Sequence, residues 1–142
     1  MTASQLFLAL NFLALAGWVN MIAGVIFARP MLRDTIAGTW LPVLLSGVYT
    51  ALIIFFFGES DGGFDTLENV QLLFANPWIA LGGWVHYLAF DMFMGSRIAR
   101  QTAELGLPRW ILIGLLPLTF LFGPMGYLAF EGIKTYKKGE AK

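Results

Sequence analysis

His86 and Asp91 are the two residues of this chain best suited to chemistry. Both lie in the run Asn76-Pro-Trp-Ile-Ala-Leu-Gly-Gly-Trp-Val-His-Tyr-Leu-Ala-Phe-Asp-Met-Phe-Met-Gly95, which is long and apolar enough to cross a bilayer, and His86 is the only histidine. A carboxylate at membrane depth costs roughly 2.5–3.5 kcal/mol on insertion scales, so it normally faces protein or water and marks function. An imidazole and a carboxyl group together offer an acid and a base for proton transfer. The bland alternative is structural: His86 as an interhelical hydrogen-bonding group and Asp91 paired with Arg97, less than two turns away.

Helical geometry separates the pair. At about 100° per residue, Asp91 shares a face with Trp84 and Tyr87, with Met94 and Gly95 at its margins. His86 shares a face with Gly82, Gly83, Phe90 and Phe93. The two polar groups are then about 140° apart around the axis. Both avoid lipid only if this helix is surrounded by the others, so it is expected at the centre of the molecule.

The elements that must position them are read from composition. The 142 residues are 58% hydrophobic and only 13% charged, and the mean hydropathy is +0.71. Four stretches are long enough to span the hydrocarbon core, residues 6–28, 40–57, 77–95 and 110–130. The expected fold is all-α: an integral membrane four-helix bundle with short loops, formed by residues 1–142 as a single transmembrane domain. Period-2 alternation of the membrane β-barrel kind is absent. The first apolar run has no Lys or Arg before it and exceeds a signal-peptide core, so it is read as a retained span. With no cysteine there is no disulfide, thiolate ligand or thiol nucleophile. Basic and acidic residues balance at nine each, and nothing points to nucleic acid.

Loop chemistry sets an orientation. Loop 29–39 carries Arg29 and Arg33, and loop 96–109 carries Arg97, Arg100 and Arg109. Loop 58–75 has no Lys or Arg but holds Glu59, Asp61, Asp65 and Glu68. The positive-inside rule places that acidic second loop outside and the other two in the cytoplasm. Parity then sends the tail outside, against its Lys134, Lys137, Lys138 and Lys142, unless the last segment, with Pro117 and Gly123-Pro124, does not cross simply. Within the second loop, Asp61-Gly-Gly63 reads as a turn. Asp65 followed by Glu68 resembles a helix start, predicting a short interfacial helix with Leu67, Val70, Leu73 and Phe74 on one face.

Other spans offer partners. Ala16, Asn20, Gly24 and Ala28 recur every four residues, a small-residue stripe for close packing with Asn20 as its polar member. Tyr49 lies beside Ser46 and Thr50 on the second span. Aromatic residues cluster at Phe55-Phe56-Phe57, at Trp84/Tyr87/Phe90/Phe93 and at Phe120/Phe122/Tyr127/Phe130. Interfacial belts and bundle packing account for many of them; an apolar cleft for a long, flat, lipid-soluble molecule is the functional reading. The expected substrate contacts are Asn20, Tyr49, Trp84, Tyr87, Phe90, Met94, Phe120 and Phe122, with His86 and Asp91 catalytic. No metal is expected, since a single histidine is a poor start for iron or zinc; iron held by His86 and carboxylates is the alternative.

Gly83-Trp-Val-His-Tyr-Leu-Ala-Phe-Asp-Met-Phe-Met-Gly95, preceded by Asn76-Pro-Trp78 and followed by Phe122-Gly-Pro-Met-Gly126, resembles the signature of the neoxanthin-synthase-like membrane proteins. These are the abscisic-acid-deficient-four family of plants, algae and bacteria. The resemblance covers most of the chain and puts Trp84, His86, Asp91 and Gly95 at motif positions, with Gly123 and Pro124 in the second block. It implies carotenoid-related chemistry: plant members are associated with converting violaxanthin into neoxanthin, opening an epoxide to an allene. Without a plastid leader, the chain is expected to be a bacterial inner-membrane member whose substrate is a carotenoid or similar isoprenoid. The expected activity is acid–base isomerisation without a cofactor. The alternatives are a carotenoid-cleaving oxygenase forming retinal-like products and a pigment- or lipid-binding protein without activity. Partners are the bilayer, the polyene and a possible second copy.

Overall fold

The structure, a computed structural model, describes residues 1–140. It is all-helical, with no strand among the described residues. Helix α1 is Ala3–Ile26, α2 Leu41–Phe56, α3 Leu67–Ala75, α4 Pro77–Glu104, α5 Leu112–Leu121 and α6 Gly123–Glu140. A π-helical segment, Met31–Trp40, leads into α2, and short 3-10 turns follow α2 (Phe57–Glu59) and precede α5 (Arg109–Ile111).

Local chemistry fixes the helix ends. Thr2 opens α1 with a capping box: its hydroxyl accepts from the Gln5 amide at 3.3 Å, and Gln5 Oε1 accepts from the Thr2 amide at 2.9 Å. α1 closes in a Schellman motif, with the Arg29 amide donating to the Gly24 carbonyl at 2.8 Å and the Ala28 amide to Val25 at 3.4 Å. The left-handed position of that motif is filled by Ala28, at φ 51°, where glycine is the usual occupant. Asn76 caps α4 by accepting from the Trp78 amide at 2.9 Å, with Pro77 at the first helical position. Thr66, rather than the expected Asp65, caps α3 by accepting from the Asn69 amide at 3.2 Å. Asp65 accepts instead from the Asn69 side chain at 2.8 Å, which holds its carboxyl below the usual carboxylate range.

Residues expected to form the first loop are helical from Met31 onward. Pro30 starts the segment, and Ser96 of α4 holds it by donating to the Arg33 carbonyl at 3.1 Å. The side chains that look like loop polarity partly satisfy each other, since Arg33 and Asp34 form a two-pronged pair at 2.7 Å. The stripe expected on α1 is also displaced. Ala16 and Ala28 are exposed, and the packed face is Ala14, Gly17, Trp18, Met21 and Gly24. Asn20 donates back to the Ala16 carbonyl of its own helix at 2.9 Å.

Helix α4 is the centre of the molecule, as expected, and is contacted by α1, α2, α3, α5 and α6. Buried residues lie all around it, including Val85, Leu88, Met92, Ile98 and Thr102, as expected of a helix enclosed by others. It locks to α1 reciprocally: Met92 fills the space at Gly17, and Trp18 fills the space at Gly95. A Cβ at 95 would stand 2.5 Å from the indole. On the other side Trp78 stacks on Phe56 with ring centroids 4.6 Å apart.

The last apolar stretch does not form the expected fourth span over 110–130. It folds in two. α5 and α6 run antiparallel, with Gly126 pressed against Thr119. The far end of α6 returns to the C-terminal end of α4, where Lys134 donates to Gln101 at 3.4 Å and Lys137 to the Leu105 carbonyl at 3.3 Å. Two prolines explain the break. Pro117 and Pro124 have no amide hydrogen, so the helical bonds to Ile113 and Phe120 cannot form, and Phe122 adopts φ −147°, ψ 70° at the turn. The apolar arm Arg109–Leu121 rises only about 20 Å, short of the roughly 30 Å hydrocarbon core.

Among the described residues two helices are long and apolar enough to cross a membrane, Ala3–Ile26 and Met31–Glu59. Much of the outer surface is large and apolar: Phe12, Ile54, Phe55, Ile113 and Leu128 are each at least 70% exposed. Exposed apolar surface of this kind is a membrane-interaction signature.

Candidate active site at the tip of the helical hairpin

The hairpin tip meets α4 at Asp91. The residue is buried, at 7% exposure, and its Oδ2 has no hydrogen-bond partner among the described residues. Gly123, first residue of α6, lies directly on the carboxylate: a Cβ there would overlap Oδ1 and stand 2.6 Å from Cγ. The tip fits only because residue 123 lacks a side chain. The start of α6 also brings the positive end of a helix dipole to the carboxyl group.

One turn earlier, Tyr87 ties the hairpin down. Its hydroxyl lies 2.6 Å from the Leu121 carbonyl and 3.0 Å from that of Phe120, donating to these two oxygens at the broken end of α5. In a low-dielectric setting such free carbonyls need a donor. Tyr87 in turn contacts Trp84, with ring centroids 5.3 Å apart. Trp84 Nε1 donates to Asn11 Oδ1 at 3.1 Å, and Phe7 lies 5.7 Å from the indole. Beside Trp84 is a cavity of about 390 Å³ bordered by Phe7, Pro77 and Leu81. Trp84, Tyr87 and Asp91 thus form one line along α4, about 10 Å from first to last.

His86 faces away from this line. It is exposed, with the Tyr49 ring at 5.6 Å and the Phe90 ring at 4.7 Å between centroids. Below it, a cavity of about 330 Å³ lies between the start of α2 and α4, bordered by Pro42, Val43, Ser46, Phe90 and Phe93. The expectation that both polar groups are shielded by neighbouring helices therefore holds for Asp91 and fails for His86. The α2 side of α4 is covered by Leu45 and Leu52 on a helix crossing beside His86, not over it. The alternative Asp91–Arg97 pair is absent among the described residues; Arg97 is exposed.

The remaining expected contacts divide between these surroundings. Phe120 packs edge-on against Trp18 at 5.3 Å. Met94 is half-buried on the core, whereas Phe122 at the tip is 55% exposed. Asn20 makes no bond to another helix among the described residues. Asn11, which sequence reasoning passed over, provides the cross-helix bond that Asn20 was expected to make; its only signal was that it is a polar residue in the same apolar run, about two and a half turns before Asn20. No group of three or more His, Cys, Asp or Glu comes together among the described residues.

The cavity beside Trp84 can hold an apolar molecule, and the buried carboxyl group of Asp91 lies about two turns further along the same helix. No curated protein and no solved structure matches it. A family model described as ABA DEFICIENT 4-like matches residues 5–130.

Proposed function

Because the chain belongs to the ABA DEFICIENT 4-like family, we propose that it is a membrane-embedded enzyme that isomerises a carotenoid or similar long isoprenoid by acid–base catalysis. The observation that carries this reading is Asp91, a buried carboxyl group with a free oxygen at the tip of a broken helix. Such a group is costly at membrane depth and is retained where it acts.

In epoxide-to-allene isomerisation, the epoxide oxygen gains a proton and a vinylic carbon loses one, with no net change in composition. Asp91 in its protonated form donates to the epoxide oxygen as the C–O bond opens. Its other oxygen then accepts the vinylic hydrogen, restoring the acid. Trp84, Tyr87, Phe120 and Met94 hold the polyene beside it. His86, on the opposite face with Tyr49 and Phe90, contacts a more distant part of the substrate, and Phe122 lies exposed at the hairpin tip.

In the bilayer α1, α2 with its π-helical lead, and α4 cross, and the α5–α6 pair enters and returns on one side. The acidic second loop with α3 lies outside, and both termini of the hairpin lie in the cytoplasm with Arg29, Arg97 and Arg109. This arrangement agrees with the lysines of α6 under the positive-inside rule. The membrane is a bacterial inner membrane.

The test is pigment chromatography from bacteria accumulating β-carotene, zeaxanthin or violaxanthin. Wild type yields a new peak of unchanged mass, Asp91→Asn yields none, and His86→Ala lowers turnover mainly through KM. Pigment retained on the purified protein without product would make it a binding protein. Shorter fragments would make it a cleaving oxygenase. Full activity of Asp91→Asn would sink the assignment.

A further inference from the structure

Where the ends of α1 and α4 meet the start of α5, two cavities adjoin. One, of about 250 Å³, is bordered by Gly24, Ala28, Arg33, Thr102 and Arg109. The other, of about 370 Å³, is apolar and runs between α1 and α5 along Ile22, Ile26, Ile113 and Leu116. They share Val25, Leu112 and Arg109, so Arg109 stands where a compartment that also holds Arg33 and Thr102 meets a more apolar one.

Arg109 has no structural duty that accounts for it. Arg33 is matched by Asp34, Arg100 by Glu104 and Lys134 by Glu131, whereas Arg109 has no ion-pair partner among the described residues. The helix-end carbonyls nearby are served by other groups. Gly24 and Val25 are bonded by the Arg29 and Ala28 amides, and Leu105 and Gly106 by Lys137. From Arg109 the apolar compartment extends along α5 to Pro117, about 12 Å of helix rise. Trp110, 69% exposed, borders it at the level where indoles sit among headgroups.

We propose that this end of the bundle binds one anionic phospholipid, with its phosphate at Arg109 and an acyl chain in the α1–α5 cavity. Charge complementarity selects the anionic headgroup, and the apolar continuation selects a lipid over a soluble phosphate. The proposal rests on insertion in a bilayer but not on the identity of the substrate at Asp91.

The experiment uses the full chain in vesicles of neutral phosphatidylcholine containing either brominated phosphatidylglycerol or brominated phosphatidylcholine. Trp110 quenching is isolated by subtracting a Trp110→Phe variant. Wild type should favour phosphatidylglycerol about fivefold, the effect of one arginine near the surface. Arg109→Gln should remove the preference, and Arg109→Lys should retain most of it. Arg97→Gln, at the same end and also unpaired, should leave it unchanged. Equal quenching by both lipids in wild type overturns the proposal. So does a preference that survives Arg109→Gln or falls equally with Arg97→Gln, which would be a general surface potential. Absence of quenching by either lipid would instead overturn bilayer insertion, whereas pigment conversion reports on the Asp91 site alone.

Discussion

Replacing Gly123 with alanine should loosen the hairpin tip, and the cause can be isolated. The new Cβ would overlap Asp91 Oδ1 and lie 2.6 Å from Cγ. Either the carboxyl group turns or the tip retreats from α4, and retreat lengthens the Tyr87 bond to Leu121, now 2.6 Å. Overpacking of this kind costs about 1–3 kcal/mol; a middle value of about 2 kcal/mol is about a 30-fold change in the folding equilibrium. Unfolding by detergent titration in mixed micelles, followed by tryptophan fluorescence, would measure it. The decisive comparison is a double-mutant cycle with Asp91→Ala, which removes both crowded atoms. In that background Gly123→Ala should cost little, giving a coupling energy of at least about 1 kcal/mol, whereas independent sites add within about 0.5 kcal/mol. Additivity would refute the contact and, with it, the placement of the hairpin tip on Asp91. Asp91→Ala alone should abolish turnover while the protein still inserts.

Four other outcomes follow from the geometry. Ala28→Gly should stabilise the protein by about 1 kcal/mol in the same titration, since a left-handed alanine costs about 1–2 kcal/mol; no gain would contradict the φ of 51°. Tyr87→Phe leaves two carbonyls without their donor, so a loss of about 1–3 kcal/mol is expected in the same titration. The chain has no cysteine, so single cysteines report sidedness directly: Thr135→Cys should label from one side of sealed vesicles and Gln71→Cys from the other. Asp65 has its folded pKa lowered from 3.8, chiefly by the Asn69 side chain. Its contribution to α3 is therefore present above pH 3.8 and lost as pH falls through the lower folded value. Hydrogen exchange in α3 should accelerate over that interval, and Asn69→Ala should remove the dependence.

The sequence revealed the elements whose signal is local. α1, α2 and α4 are long apolar runs, and Asn76-Pro77 marks the start of α4 by side-chain chemistry alone. α3 was legible from Asp61-Gly-Gly63 and the acidic residues after it, although its cap is one residue later than expected. The π-helical lead into α2 was hidden because Arg33 and Asp34 look solvated in sequence and are instead paired beside α4. On α1, spacing of small residues suggested the wrong face; the packed face was chosen by Trp18 and Met92, knobs whose holes lie on the other helix. Hydropathy over 110–130 counts apolar residues but carries no information on chain direction. The reversal was signalled only by Pro117, Gly123-Pro124 and the misplaced charge of the lysines. For the site, helical periodicity correctly separated His86 from Asp91, but it could not tell which face the hairpin would cover.

The α5–α6 hairpin also imposes an order of assembly. Its turn needs the Tyr87 hydroxyl, and its closest approach needs the space beside Asp91, so neither arm has a seat until α4 is in place. Ribosomal synthesis delivers the elements in that order, with the receptor completed before the insert emerges. An amino-terminal fragment ending after Glu104 would retain the whole receiving surface, and a separately made carboxy-terminal fragment beginning near Leu105 would carry the entire plug. The 105–108 turn is therefore the boundary between a receiving part and an inserted part of the chain.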